Sequence, residues 1–151
     1  MHYGFRVCPA FWCWLEREHA NGKIFSIQQV RKELLKYDDE LSKWVKSRKP
    51  MFLDTGDGKT YESLGLLSTW ATPNYAPAAQ TKFFSGADFP LVGYAHAHGC
   101  TVVTQEKYAD GFEIKIPKAC RALDVPCINT FELLEREGAK FILDSSASGG
   151  S

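Results

Sequence analysis

The sequence predicts an α/β domain in which a small, mostly parallel sheet is flanked by helices in three layers. Segments with helical periodicity alternate with short, β-branched apolar segments, which is the pattern of parallel strands joined by helices. The 151 residues suit one domain that can bury a core without disulfide bonds or structural metals. Because no apolar strand precedes the first helix, we expect a sheet of only about three short strands that lacks its N-terminal central strand.

The first third of the chain is predicted to be mostly helical. Pro9 can occupy the first turn of a helix that ends near Gly22. A short apolar segment then leads to Ser26, which with Gln29 is expected to form a capping box for the next helix. Residues 38–48 begin with acids and end with bases, as the dipole of a third helix favours.

A polar, glycine-rich loop over residues 54–60 precedes two further predicted helices, 60–72 and 76–86. Its sequence "GDGKT" resembles part of a phosphate-binding loop. It lacks the first glycine at the required spacing, so nucleotide binding is the least favoured hypothesis for this chain.

The second half begins with a predicted helix from Asp88 to about His98, ended by Gly99, and a buried strand over residues 101–106. The later segments are predicted to be an edge strand, a helix, a strand and a final helix, in the order 112–117, 118–125, 126–129 and 130–143. We therefore expect one domain over residues 1–143 and a flexible tail over 144–151.

Composition restricts the classes of function. Eighteen basic residues balance eighteen acidic ones, which is not the charge of a dedicated nucleic-acid binder, although a local basic patch is compatible with it. Five cysteines without a Cys-x-x-Cys pair fit reduced cysteines in a cytoplasmic protein. No apolar run approaches the length of about 18 residues that a membrane span needs. The aromatic sequence "FWCWLE" favours a homo-oligomer that covers it.

Glu33 is the first acid that could belong to a site. Ile27, Val30 and Leu34 form one apolar stripe at helical spacing, and Glu33 lies about 60° from Val30, at the border of that stripe. A glutamate at such a border is either solvated or directed into a site, and this segment alone favours solvation.

Asp88 and Glu106 stand at the two ends of the helix–strand unit. Asp88 can cap the helix, but it also shares a stripe with Leu91 and Val92, and an acid that faces inward needs a partner. Glu106 follows a strand at its carboxyl end, where ligand sites gather in open α/β sheets, or it simply ends the strand in solvent. Three acids from separate elements would suit Mg²⁺ or Mn²⁺.

The histidines fit a metal site less well than the acids. His96 and His98 point roughly 200° apart on their helix, so they cannot easily share one ion. We interpret these two, together with His2 and His19, as surface or packing residues.

Most of residues 2–134 resembles a PIN-like domain, in particular an uncharacterised bacterial branch related to VapC-type toxins. The matching segments follow in order: "HYGFRVCPAFWCWLEREHANGKIFSIQQVRKEL", "DDELSKWVKSR", "YAPAAQTKFFSGADFPLVGYAHAHGCTVVTQE" and "KIPKACRALDVPCINTFELL". PIN domains use about four acids to bind Mg²⁺ or Mn²⁺ and cleave RNA, often as toxins that an antitoxin restrains. The resemblance implies that Glu33, Asp88 and Glu106 are metal-binding and catalytic, with Thr104 as a supporting hydroxyl.

The sequence departs from that family at its start. The first acid of the family lies in an opening strand of the type "LLDxN", and Met1 follows the point where that strand would end. The resemblance thus implies a toxin-type ribonuclease whose activity is weakened or lost with the first ligand. The alternative is a non-catalytic PIN-like module that self-associates or binds an antitoxin-like partner.

Overall fold

A five-stranded sheet forms the centre of the computed structural model, which describes residues 9–37, 39–135 and 141–143. The strands are β1 (Ile24–Ile27), β2 (Phe52–Leu53), β3 (Thr101–Val103), β4 (Cys127–Ile128) and β5 (Phe141–Leu143). Their order across the sheet is β2-β1-β5-β3-β4, and every recorded pair is parallel. The predicted α/β class with a small parallel sheet is confirmed.

Eight α-helices and one short 3-10 helix surround the sheet within the described residues. The α-helices are α1 (Pro9–Ala20), α2 (Gln28–Leu35), α3 (Glu40–Lys46), α4 (Gly58–Asn74), α5 (Pro77–Ser85), α6 (Asp88–His98), α7 (Ile116–Ala122) and α8 (Thr130–Glu135). The 3-10 helix, Lys49–Met51, leads directly into β2. The predicted helices beginning at Pro9 and Asp88 and the two helices on either side of residues 73–75 are therefore present, although α4 extends through Asn74.

The core lies on both faces of the sheet. All four residues of β1 are buried, and Val102, Val103 and Ile142 are fully enclosed. Because these strands are buried on both faces, their sequences are continuous apolar runs and do not alternate between apolar and polar residues. The sheet thus needs a helix layer on each side.

Among the described helices, α4 and α6 have the most extensive contact with each other. A Cβ atom at Gly93 of α6 would lie 2.4 Å from Cδ2 of Leu64 in α4, so only glycine allows this approach without a shift. Gly99 ends α6 with φ 68°, the left-handed conformation that glycine adopts without strain, as the sequence predicts.

The predicted capping box of Ser26 and Gln29 is wrong. Ser26 belongs to β1, α2 begins at Gln28, and the cap residue is Ile27, which makes no side-chain cap hydrogen bond. The Ser26 hydroxyl donates to the carbonyl oxygen of Leu143, and Gln29 Nε2 donates to Thr55 Oγ1 at 2.9 Å. The apolar segment that includes Ser26 is thus a strand, because it pairs with neighbouring strands of the sheet. The local sequence does not reveal this pairing.

Two predictions for the last third are also wrong. Residues 112–117 are not an edge strand, because Phe112 is exposed and α7 begins at Ile116. The predicted final helix over 130–143 is present over Thr130–Glu135, but its last apolar residues, Phe141–Leu143, form the strand β5. The pattern of a short apolar run is compatible with a helix or with a strand. These residues form a strand because they pair with β1 and β3.

Within the described residues the sheet has five strands and not the expected three, and β5 lies between β1 and β3. The expected absence of a strand before α1 concerns residues 1–8, which lie outside the described residues, as do 136–140 and the predicted tail 144–151. Of the helices that the structure describes, none combines the length and apolar character that a membrane crossing requires.

Candidate functional site

The three acids predicted from separate segments line one cavity of about 320 Å³ at the carboxyl-end side of the sheet. Glu33, Asp88 and Glu106 contribute to its wall, and all three side chains are half-buried. In open parallel sheets this edge is where ligand sites form, because loops from several strands meet there. The structure thus brings the predicted acids to one place.

Glu33 reaches the cavity from α2, which follows β1 without a loop. Val30 and Leu34 are buried beneath this helix, as the apolar stripe predicts. Glu33 lies at the border of that buried face, so its carboxylate is at the cavity wall and not in the core.

Asp88 is the first residue of α6 and not its cap. The cap position belongs to Ala87, which makes no side-chain cap hydrogen bond. An acid in the first helical turn is still favoured by the helix dipole. Leu91, Val92 and Ala95 are all buried, so the predicted apolar stripe of α6 faces inward, and Asp88 at its start is half-buried.

Glu106 is held by two hydrogen bonds after β3. Its Oε1 accepts from the backbone N–H of Ile116 at 2.9 Å, and its own N–H donates to Thr104 Oγ1 at 3.1 Å. Thr104 is only 2% exposed, and its N–H donates to the carbonyl of Ile128 at 3.0 Å. Thr104 therefore fixes the loop that carries Glu106, consistent with its predicted supporting position.

Two lysines bring positive charge to the cavity wall. Lys82 Nζ and Lys115 Nζ lie 2.7 and 3.0 Å from the two carboxylate oxygens of Glu113. The hydrogen bond from Lys82, followed by that from Lys115, lowers the pKa of Glu113 from 4.5 to about 2. Glu113 in turn raises the pKa of Lys115, with smaller contributions from the negative charges of Glu106 and Asp88. Lys115 is thus within electrostatic reach of two of the three acids.

The donor atoms at this cavity suit a hard divalent cation, since carboxylate oxygens are the ligands that Mg²⁺ and Mn²⁺ prefer. The described residues nevertheless include no group of three or more His, Cys, Asp or Glu side chains arranged closely enough to hold a metal ion. The N–H of Ile116, at the start of α7, already donates to Glu106 Oε1.

A larger open groove of about 690 Å³ adjoins the cavity, and Glu106 lines both. Tyr108, Arg121 and Phe131 contribute to the groove, and the Arg121 guanidinium lies 4.8 Å from the centre of the Tyr108 ring. Exposed aromatic rings beside a cation are features of surfaces that bind single-stranded nucleic acid.

The remaining candidate motifs have structural roles at the α4–α6 pair. Asp57 of "GDGKT" caps α4 by accepting from Thr60 N–H at 2.8 Å, and its other oxygen lies 3.1 Å from His98 Nε2. His96 Nδ1 lies 2.7 Å from Ser63 Oγ. These contacts agree with the interpretation of His96 and His98 as packing residues, and the glycine-rich segment is a capped helix start.

Sequence reasoning missed three charged residues that also line the cavity: Lys82, Glu113 and Lys115. Lys82 lies on α5, and Glu113 and Lys115 lie just before α7. No motif in the sequence connects these three residues to the acids.

A family model described as "Domain of unknown function (DUF4411)" matches residues 1–141. No curated protein and no solved structure matches this chain.

Proposed function

We propose that this chain, which belongs to the DUF4411 family, is a metal-dependent ribonuclease of the toxin–antitoxin type. One observation carries the proposal: three acids from α2, α6 and the loop after β3 line a single cavity at the carboxyl-end side of a parallel sheet. The resemblance of residues 2–134 to PIN-like domains, in which acids bind a divalent metal ion, is the reason for assigning these acids to a metal site.

Glu33, Asp88 and Glu106 are the residues that would hold Mg²⁺ or Mn²⁺. Such an ion supplies an activated water and stabilises negative charge on the phosphodiester during hydrolysis. Their half-buried positions limit competition from bulk water while leaving the cavity open to a backbone phosphate.

In this proposal, Lys82 and Lys115 bind the phosphate of the RNA and not the metal ion. Their ammonium groups lie at the cavity wall, and a backbone phosphate of RNA can exchange with Glu113 as their partner. Exposed ion pairs cost little to rearrange, so this exchange is accessible. The lysines thereby draw the scissile phosphate toward the acids.

The adjoining groove supplies a path for the RNA strand. Tyr108 and Phe131 are exposed and can stack on bases, and Arg121 can contact phosphate or base faces. Stacking does not require a particular base, so this groove supports binding of single-stranded RNA without specifying its sequence.

Exposed apolar residues are candidate contacts for an antitoxin-like protein or for a second copy of the chain. Phe112 is 96% exposed and adjoins Glu113 at the cavity wall, while Tyr61 and Leu66 lie exposed on α4. A partner that covers Phe112 would also restrict access to the acids, as an antitoxin must.

The test is cleavage of a labelled single-stranded RNA by the purified chain in Mn²⁺, in Mg²⁺ and in EDTA. We expect cleavage in either metal and none in EDTA, with large losses for Glu33→Gln, Asp88→Asn and Glu106→Gln. Matched controls are Glu62→Gln and Glu135→Gln, which change exposed glutamates that do not line the cavity. Cleavage that resists EDTA, or that survives all three site substitutions, would contradict the proposal.

The alternative is a non-catalytic module that binds itself or an antitoxin-like protein. The described residues include no group of three or more His, Cys, Asp or Glu side chains that could hold a metal ion, and this observation favours the alternative. A folded chain that forms a stable dimer, binds no Mn²⁺ and leaves RNA intact would establish this alternative in place of the ribonuclease.

A further inference from the structure

The loop over residues 104–115 connects β3 to α7 and contributes to the wall of the cavity that the acids line. Residues 107–113 of this loop are all exposed and belong to no helix or strand. The Glu106 side chain closes the loop at its base, because its Oε1 accepts from the N–H of Ile116 at 2.9 Å. The exposed part of the loop is therefore held in place by contacts with other elements.

Two ion pairs supply such contacts, and they join the loop to two different helices. Glu113 Oε1 lies 2.7 Å from Nζ of Lys82 on α5, and Asp110 Oδ1 lies 2.7 Å from Nζ of Lys118 on α7. Both pairs are partly exposed to solvent, and such pairs contribute little to stability. The loop is thus held by contacts that can be exchanged for contacts with a ligand.

The two ion pairs differ in their position relative to the cavity. Glu113 bridges Lys82 and Lys115, whose Nζ atoms lie 2.7 and 3.0 Å from its two carboxylate oxygens, and all three residues line the cavity. Asp110 and Lys118 do not line it. The Glu113 carboxylate therefore occupies the two ammonium groups that would attract an anion to the acids.

A carboxylate with each oxygen on a separate lysine makes the same contacts that the two non-bridging oxygens of a phosphodiester can make. The hydrogen bond from Lys82, followed by that from Lys115, lowers the pKa of Glu113 to about 2. Glu113 is therefore an anion throughout the neutral pH range. In that range it leaves the lysines by exchange with another anion and not by protonation.

We propose that Glu113 is an internal competitor of the RNA phosphate, which occupies Lys82 and Lys115 and holds the cavity in an autoinhibited state. This inference rests on the proposed function and adds the regulation of the same site. RNA binding requires the Glu113 carboxylate to leave both lysines. The exposed part of the loop, which carries Glu113, is then released from α5.

The experiment measures the affinity of the full chain for a short, labelled single-stranded RNA by fluorescence anisotropy in EDTA, where metal ions and cleavage do not contribute. We expect Glu113→Gln to bind this RNA about three- to tenfold more tightly, because two ion pairs no longer have to be broken. In Mn²⁺ the same variant should cleave RNA with a lower KM and an unchanged kcat, since Glu113 opposes binding and takes no part in the chemistry.

The chain contains a matched control in Asp110. Asp110→Asn removes the same charge from the same loop and releases Lys118, but it leaves Glu113 on both cavity lysines. It should change RNA affinity by less than about twofold, because it acts on the cavity through a screened charge. Lys82→Gln should weaken RNA binding more in the Glu113→Gln background than in the wild type, because Glu113 no longer occupies the ammonium group there.

An equal gain of RNA affinity in Asp110→Asn and Glu113→Gln would overturn the inference, because net charge would then explain both. Unchanged affinity in Glu113→Gln would overturn it as well, and metal-dependent cleavage by the wild type would in that case leave the proposed function standing. If neither the wild type nor Glu113→Gln binds RNA, the proposed function and the inference fail together.

Discussion

Ser26 and Leu143 are 117 residues apart in the chain and are joined by a hydrogen bond from the Ser26 hydroxyl to the Leu143 carbonyl oxygen. This bond links β1, which opens the described sheet, to β5, which is the last described element. The bond joins the strand that leads into α2, the helix of Glu33, to the strand that pairs with β3.

Replacement of Ser26 by alanine should destabilise the protein by about 1 kcal/mol, because a buried hydrogen bond is lost and a buried carbonyl loses a donor. Urea unfolding measures this change. Ser85→Ala is the control, since the Ser85 hydroxyl is exposed and bonds only within its own helix at 3.3 Å. Equal stabilities of the two variants would show that the contact between β1 and β5 contributes nothing.

The fold class could be predicted from the sequence, but the centre of the sheet could not. Helices such as α1 and α6 have local signals, namely Pro9 at the start of one and Gly99 at the end of the other. The strand β4 lies within the predicted strand 126–129, but the two-residue β2 and the three-residue β5 have no such signals. Their conformation is set by pairing with distant segments, which a short apolar run does not reveal.

Replacement of Gly93 by valine should destabilise the protein by about 1–3 kcal/mol, because the new side chain overlaps Leu64 where α4 and α6 meet. Thermal or urea unfolding measures the loss. The control is Gly65→Val in α4, where a Cβ has no neighbour within 4 Å, and its stability should change little. If Gly93→Val is as stable as Gly65→Val, the close approach of the helices is not as described.

The ion pairs of Glu113 predict a pH dependence of stability. Because its pKa is lowered from 4.5 to about 2 by Lys82 and then Lys115, Glu113 contributes stability above pH 4.5 that is lost as the pH falls toward 2. The side chain is half exposed, so the contribution should be small and should shrink in high salt. Unfolding curves of the wild type and Glu113→Gln should differ at pH 6 and converge near pH 2. A difference that persists at pH 2 would contradict this account.

Lys115 should oppose metal binding, since its charge lies near both Glu106 and Asp88. Lys115→Gln is expected to raise Mn²⁺ affinity about threefold at low ionic strength, and salt should reduce this gain. Calorimetric titration measures it. Lys118→Gln is the control, because Lys118 pairs with Asp110 and does not line the cavity. A loss of affinity in Lys115→Gln would mean that Lys115 organises the acids and does not compete with the ion.

The candidate site could be predicted only in part, because some of its residues lie on helices with a clear apolar stripe and others lie in loops. Glu33 and Asp88 lie on helices whose apolar stripes indicate which side faces inward, and their burial follows that pattern. Glu106 lies in a loop, and its hydrogen bond to Ile116 depends on a helix start ten residues later that the sequence placed wrongly.

The most direct test of a metal site among these acids is anomalous diffraction at the manganese edge from crystals of the full chain soaked in MnCl₂. We expect a peak in the cavity lined by Glu33, Asp88 and Glu106, with oxygen ligands at roughly 2.1–2.3 Å. Crystals that show no peak in that cavity, or a peak only elsewhere on the protein, would contradict the account.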